Sequence, residues 1–200
     1  MARGFHRFGA GSIIAFPPGD TFGQEHISIG EFTILAGHAT LSAGMAPGRP
    51  LADGAASPVL RIGDRTVIGR GNHLVAHRSL VIGDDVMTGP NCYFTDQNHT
   101  YVDPNVPVGQ QYPSDDPVEI GSGSWVGAGA LVLPGTRLGR NCVVAAGAVV
   151  RGHFPDNSVL AGVPAKVVRH YDRAEGWQPK ITDLLIEPPD DWPTPVPNVH

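Results

Sequence analysis

The sequence predicts an all-β fold, a parallel β-helix of hexapeptide repeats with one long protruding loop and a short C-terminal extension. Three observations predict it. From Ile120 to Val150 an aliphatic residue recurs at every sixth position without a break: Ile120, Val126, Val132, Leu138, Val144 and Val150. Six is the period neither of a helix nor of a strand. Second, a small residue stands two positions before each following aliphatic (Ser124, Ala130, Thr136, Cys142, Ala148), and Gly121, Gly127 and Gly139 come directly after one. Each unit is then a short flat strand plus a turn. Its aliphatic side chain points into a narrow prism, and the second inward position must be small because the walls converge there. Three units close a coil, and stacked coils pair as parallel strands about 4.8 Å apart.

The third observation is that the same register recurs upstream. Residues 1–28 form an N-terminal segment in which Phe8 and Ile14 open a partial coil. The β-helix domain spans 29–170, through the triplets Ile29, Leu35, Leu41; Ile62, Ile68, Leu74; Ile82, Thr88, Phe94; and then the two triplets of the regular stretch. Extra residues enter after Leu41, Leu74 and Phe94, and after Ile14, so counting alone sends every insertion out at one corner of the prism. The loop from Met45 to Val59, the excursion from Ala76 to Ser79 and the long loop over 95–117 should therefore stack, with a pocket among them. The register is expected to stop at Val150. A strand in SVLAGVPAKVV ends the solenoid, and 171–200 is a Pro-rich tail with one short amphipathic turn around Ile181 to Ile186.

Composition limits the function classes. The chain of 200 residues has 26 Gly and 19 Pro, as corners require, and its 41% hydrophobic content is too high for disorder. A formal charge of −5 offers no basic face to replace phosphate counterions, so nucleic acid is not an expected partner. No apolar run is long enough to span a bilayer, and the first residues, MARGFHRFGAGSIIAF, lack the continuous apolar segment of a signal peptide. The expectation is a soluble, cytoplasmic protein. Cys92 and Cys142 both fall on small inward positions, which predicts buried thiols and neither a disulfide nor a metal pair.

The long loop carries the most specific chemistry, TDQNHTYVDPNVPVG from Thr95 to Gly109. Together, QNHTYVDP (Gln97 to Pro104), SWVGAGA (Ser124 to Ala130) and AGVPAKVVR (Ala161 to Arg169) make the chain resemble the hexapeptide-repeat acyltransferases. That group includes galactoside and maltose O-acetyltransferases, xenobiotic acetyltransferases and cell-envelope sugar acetyltransferases. The resemblance covers roughly Ile29 to Arg169, with three motifs in the family's order. It implies a left-handed winding, against the usual right-handed crossover, a homotrimer, acetyl-CoA as acyl donor, no metal, and a small acceptor, first of all a sugar or glycan hydroxyl and then an amine. Gln97 stands where many relatives carry a second histidine.

His99 is the candidate general base. It lies in the largest insertion and in the matching motif, and transfer from a thioester to a hydroxyl needs a base that takes the proton as oxygen attacks. No serine or cysteine pairs with it in a motif, which favours direct attack over an acyl-enzyme. The resemblance places the coenzyme A arm in a groove between subunits. There the backbone amides of Ala128 and Ala146 would hold the pantetheine, Arg151 and Gly152 would meet the pyrophosphate, Lys166 and Arg169 would meet the 3′-phosphate or adenine, and Trp125 would flank the groove or fill a trimer contact. His77, Asn98 and Tyr101 are candidates for the acceptor. Two other readings remain: a γ-carbonic-anhydrase-like zinc enzyme, for which His73, His77 and His99 are the available trio, and a non-catalytic scaffold.

Overall fold

In the computed structural model, which describes residues 4–46 and 51–179, three sheets of seven, nine and six strands wall a single core. Wall A runs from Arg7–Phe8 through Ile27–Ile29, Leu60–Ile62, Leu80–Ile82, Val118–Ile120 and Arg137–Leu138 to His153–Phe154. Wall B runs from Ile13–Ile14 through Ile34–Leu35, Val67–Ile68, Met87–Thr88, Trp125–Val126 and Val143–Val144 to Ser158–Gly162. Wall C holds Thr21–Phe22, Thr40–Ala43, His73–Ala76, Tyr93–Thr95, Leu131–Val132 and Val149–Val150. The chain visits A, B and C in turn, so each strand pairs in parallel with the one a full coil away, as Val126 does with Val144. This is a parallel β-helix.

The aliphatic columns are its core: Ile29, Ile62, Ile82 and Ile120 on wall A, Leu35, Ile68, Val126 and Val144 on B, and Leu41, Leu74, Phe94 and Val132 on C are all buried. Each is worth about 1.5–3 kcal/mol relative to exposure. The small inward positions are buried too, and their hydroxyls satisfy the converging backbone. Thr33 Oγ1 donates to Gly63 O at 2.6 Å and accepts from Thr66 N at 3.2 Å, and Thr66 Oγ1 repeats the donation to Gly83 O. At Gly121 a β-carbon would lie 2.4 Å from the Gly139 carbonyl of the next coil, which is why glycine follows the aliphatic there. At the turn from wall A to wall B, Asp85, Asn141 and Asn157 adopt positive φ, where a short polar side chain is tolerated.

The structure departs from the expected register at both ends. The first coil is complete, because Thr21–Phe22 pairs with Leu41 and Ser42 on wall C. It was hidden from counting because its third inward side chain comes one residue late and is a threonine. Of the three extra residues between Ile14 and Ile29, one sits at the B–C corner before Thr21, and the other two belong to the Gln24–His26 turn at the C–A corner with the other insertions, where Val59 N donates to His26 O. Nor does the register stop at Val150. The corner after it is cut short, so the next inward side chain is Phe154 and not the residue at 156, and the column continues through Leu138 opposite Phe154 and Val144 opposite Leu160. Only then does Ala165–Asp172 turn back antiparallel on Ser158–Gly162, and Gly176–Gln178 on that, with Tyr171 packed edge-on to Trp177. The expected turn around Ile181 to Ile186 lies outside the described residues.

Candidate active site

The insertions after Leu41, Leu74 and Phe94 all leave at the C–A corner and are bonded to one another. Gly44 N donates to Ala76 O, Leu80 N to Val59 O, and Val118 N to Ser79 O. The tie between the short excursion and the long loop is Asp96, whose carboxylate is fully buried. Its Oδ1 accepts from His77 N at 2.8 Å, and its Oδ2 accepts from Arg78 N at 2.8 Å and Ser79 N at 2.6 Å. Three N–H groups with no place in a strand ladder are thus satisfied by one side chain.

The long loop rises from that foot on a two-stranded stem. Asp116 N donates to Asp96 O, while Asn98 and Ser114 exchange bonds of 3.1 and 2.9 Å. Its tip is held by Gln111, whose amide donates to the carbonyls of Asp103 and Val106 and accepts from Asp103 N. His99, directly above the last stem pair, is exposed, as are Asn98 and Tyr101, the latter at 76%. Those three candidates share one loop. His77 does not: its side chain is buried under the loop, with Nδ1 3.5 Å from Oδ1 of Asp115. Burial pushes the Asp115 carboxyl above the usual carboxylate range, His77 pulls it back, and the nearby Asp96 adds to the rise. Asp96 and Asp115 were not singled out from sequence. The available signal was their place, carboxylates at the two feet of the same insertion.

The donor-side candidates divide. Ala128 and Ala146 lie exposed and stacked at the B–C corner, where Gly147 N donates to Ala128 O, and neither alanine N–H has a partner among the described residues. Lys166 continues that line, paired with Ala161 on the strand that ends wall B, whereas Arg169 sits further back opposite Val159. Arg151 and Gly152 stand at the C–A corner, with Gly152 O accepting from Arg137 N. Within one chain, therefore, His99, Arg151 and Gly152 are on one edge of wall C, and Ala128, Ala146 and Lys166 on the other. A single straight groove along one corner does not contain them all.

The outer faces of the walls differ. Wall B shows a continuous apolar row, Ile13, Ile34, Val67, Met87, Trp125, Val143 and Val159, with Met87 58% and Trp125 53% exposed. Wall C mixes Thr40, His73, Tyr93, Leu131 and Val149. Wall A carries Arg7, Arg61, Glu119, Arg137 and His153. A cavity of about 640 Å³ at the A–B corner and one of about 500 Å³ on wall A are not lined by His99. His73 faces out of wall C and bonds Thr40 Oγ1 at 2.7 Å through Nδ1, apart from the buried His77. No group of three or more His, Cys, Asp or Glu placed to hold a metal ion occurs among the described residues. No helix among them is long and apolar enough to cross a membrane.

Comparison with known proteins agrees with this architecture. Residues 117–152 match the family model of the bacterial transferase hexapeptide (six repeats). The chain is similar to "Probable acetyltransferase Rv3034c" of Mycobacterium tuberculosis, 41% identical over 60% of this chain and 39% of that protein. It is also similar to the galactoside O-acetyltransferase of Lactococcus lactis, 40% identical over 48% of this chain and 45% of that one. The chain thus spans less than half the length of either relative. Among solved structures it resembles AntD, an N-acyltransferase from Bacillus cereus in complex with dTDP and 3-hydroxybutyryl-CoA, with a TM-score of 0.67, 17% identity and 86% of each chain covered.

Proposed function

We propose, from the premise that this chain belongs to the hexapeptide-repeat acetyltransferase family, that it moves an acetyl group from acetyl-CoA to a hydroxyl of a small acceptor. A sugar or glycan is the first acceptor class and an amine the second. The observation that carries the reading is the C–A corner: an exposed histidine on a self-braced loop, rooted in the solenoid, in a chain whose relatives are named acetyltransferases. His99 takes the proton of the acceptor hydroxyl as its oxygen attacks the thioester carbonyl. The carbon–sulfur bond then breaks, and the departing thiolate recovers a proton. Transfer is direct. Both cysteines are buried, with Cys92 Sγ 3.2 Å from Gly127 O and Cys142 Sγ 3.2 Å from Pro155 O, and burial pushes both thiols up, away from the thiolate a nucleophile would need. The left-handed winding and a cytoplasmic location belong to the same reading.

The division of the candidates across wall C favours a shared site. If the B–C corner of one copy meets the C–A corner of the next, Ala128, Ala146 and Lys166 of one face the His99 loop of the other. Such a contact joins two different surfaces and closes as a ring of three. The outer faces suit it, since the apolar row of wall B and the Leu131 side of wall C flank the B–C corner while the charged wall A turns to water. The homotrimer is thus part of the proposal. Placing aspartate at Met87 and Leu131 together, which spares the inward Thr88 and Val132, should convert the assembly to monomers by light scattering with an unchanged far-UV spectrum. A persisting trimer would place the contact elsewhere.

The donor test is an assay of thiol release from acetyl-CoA over a panel of sugars. With an active acceptor in hand, Lys166→Ala should raise KM for acetyl-CoA about tenfold, the loss of one charge-assisted contact worth roughly 1.5 kcal/mol, while kcat stays nearly intact. Collapse of kcat at constant donor affinity would remove Lys166 from the phosphate end. Absence of any acetyl transfer over sugars and amines alike would overturn the proposed activity.

A further inference from the structure

We infer that Asp115 is a positioning residue that fixes the tautomer of His77, so that the His77 ring presents an unprotonated Nε2 at the C–A corner as a hydrogen-bond acceptor for a second hydroxyl of the acceptor, beside the one whose proton goes to His99. The inference rests on the proposed acetyl transfer for its role and on the geometry for its existence. Nothing in the solenoid demands such a pair. Asp96 already satisfies the three N–H groups of the excursion, and the loop is already held by its stem and by Gln111. Yet a histidine and an aspartate whose side chains are 8% and 5% exposed face each other there with Nδ1 3.5 Å from Oδ1. These two atoms are the sealed polar side-chain atoms without a hydrogen-bond partner among the described residues.

Two such atoms left unmatched are costly unless a proton lies between them. An ionised carboxylate can only accept, so the proton belongs on Nδ1 and the lone pair on Nε2. A gap of 3.5 Å is longer than a hydrogen bond, and pairs of this kind tighten when the site is filled. Nε2 is not among the sealed unpartnered atoms and has no hydrogen bond among the described residues, so what little exposure the His77 side chain has is open to that nitrogen. The other charges packed on the pair are Asp96, whose carboxylate is spent on backbone N–H groups, and Arg78, which follows His77 and favours the ionised Asp115. The arrangement joins the short excursion to the return limb of the loop, and so ties the acceptor side to the element that carries His99.

The test needs neither donor nor acceptor at its first step. Imidazole ¹⁵N shifts of the wild-type protein at neutral pH should show His77 protonated at Nδ1 and bare at Nε2, and Asp115→Asn should abolish that preference. In the thiol-release assay, Asp115→Asn should lower kcat/KM for the acceptor about 10²-fold, as misplacement of a positioned group does, and leave KM for acetyl-CoA unchanged. A wild-type His77 protonated at Nε2, or an Asp115→Asn enzyme with unaltered acceptor kcat/KM, overturns the inference. Should the variant fail to fold, the wild-type ¹⁵N measurement decides alone. Failure of the transferase reading leaves that spectrum unchanged, so the two can be told apart.

Discussion

Replacing His99 with alanine should lower turnover by roughly 10² to 10⁴-fold while thermal stability, assembly and coenzyme A binding stay close to wild type. The size of the loss follows from the role: without a base in contact with the acceptor hydroxyl, oxygen must attack while still protonated. The absence of a folding penalty follows from the position. His99 is exposed, stands outside every inward column and takes part in none of the bonds that brace the loop, which belong to Asp96, the Asn98–Ser114 pair and Gln111. Steady-state rates on an identified acceptor, with a melting curve of the same sample, check both halves. Near-wild-type turnover would refute the role and turn attention to the buried neighbour His77.

The largest loss of stability from a single polar change should come from Asp96→Ala. The carboxylate accepts three backbone N–H groups in a fully buried position, and its removal strands all three at once. Bonds to a charged group are worth about 1.5–3 kcal/mol each, and the excursion can relax only in part, so a loss of about 3–5 kcal/mol is expected. For a chain of this size that lowers the melting midpoint by roughly 10 °C. Asp96→Asn should recover part of it, since the amide oxygen still accepts from one or two donors. Urea titrations of the pair of variants read the difference directly. An Asp96→Ala protein with an unmoved midpoint would mean that water replaces the carboxylate, and that the corner is wetter than its burial indicates. Turnover should fall in the same variant, because the foot of the loop carrying His99 is the part released.

Most of the solenoid could be read from the sequence because its core is written in one-dimensional form. Ile120, Val126 and Val132 announce three walls by spacing alone, and stacking makes each column its own neighbour. Reading failed where a corner changed length, at Thr21 by one residue late and at Phe154 by arriving early, since a count that assumes a fixed step cannot see a turn that shortens. The site was legible only in its loop. Asn98, His99 and Tyr101 lie together because they are adjacent in the chain, whereas the pairing of His77 with Asp115 and the three-way grip of Asp96 arise from the stacking of insertions distant in sequence. Likewise Arg151 and Ala146 are close in number yet on opposite edges of a wall, because a few residues carry the chain from one corner to the next.

The strand Ala165–Asp172, described above as the turn back on wall B, has a consequence for solubility. A stack of parallel coils has no natural end, and its last rung offers open N–H and C=O groups to any similar rung, the geometry from which fibres grow. Walls A and C finish on strands of two residues, His153–Phe154 and Val149–Val150, too short to template much. Wall B finishes on five, Ser158–Gly162, and it is this edge that the returning strand occupies, running in the opposite sense so that a further coil could not continue the parallel order. The hairpin thus stands against head-to-tail pairing at the wall B edge, and the stretch that ends the solenoid also covers its longest open rung.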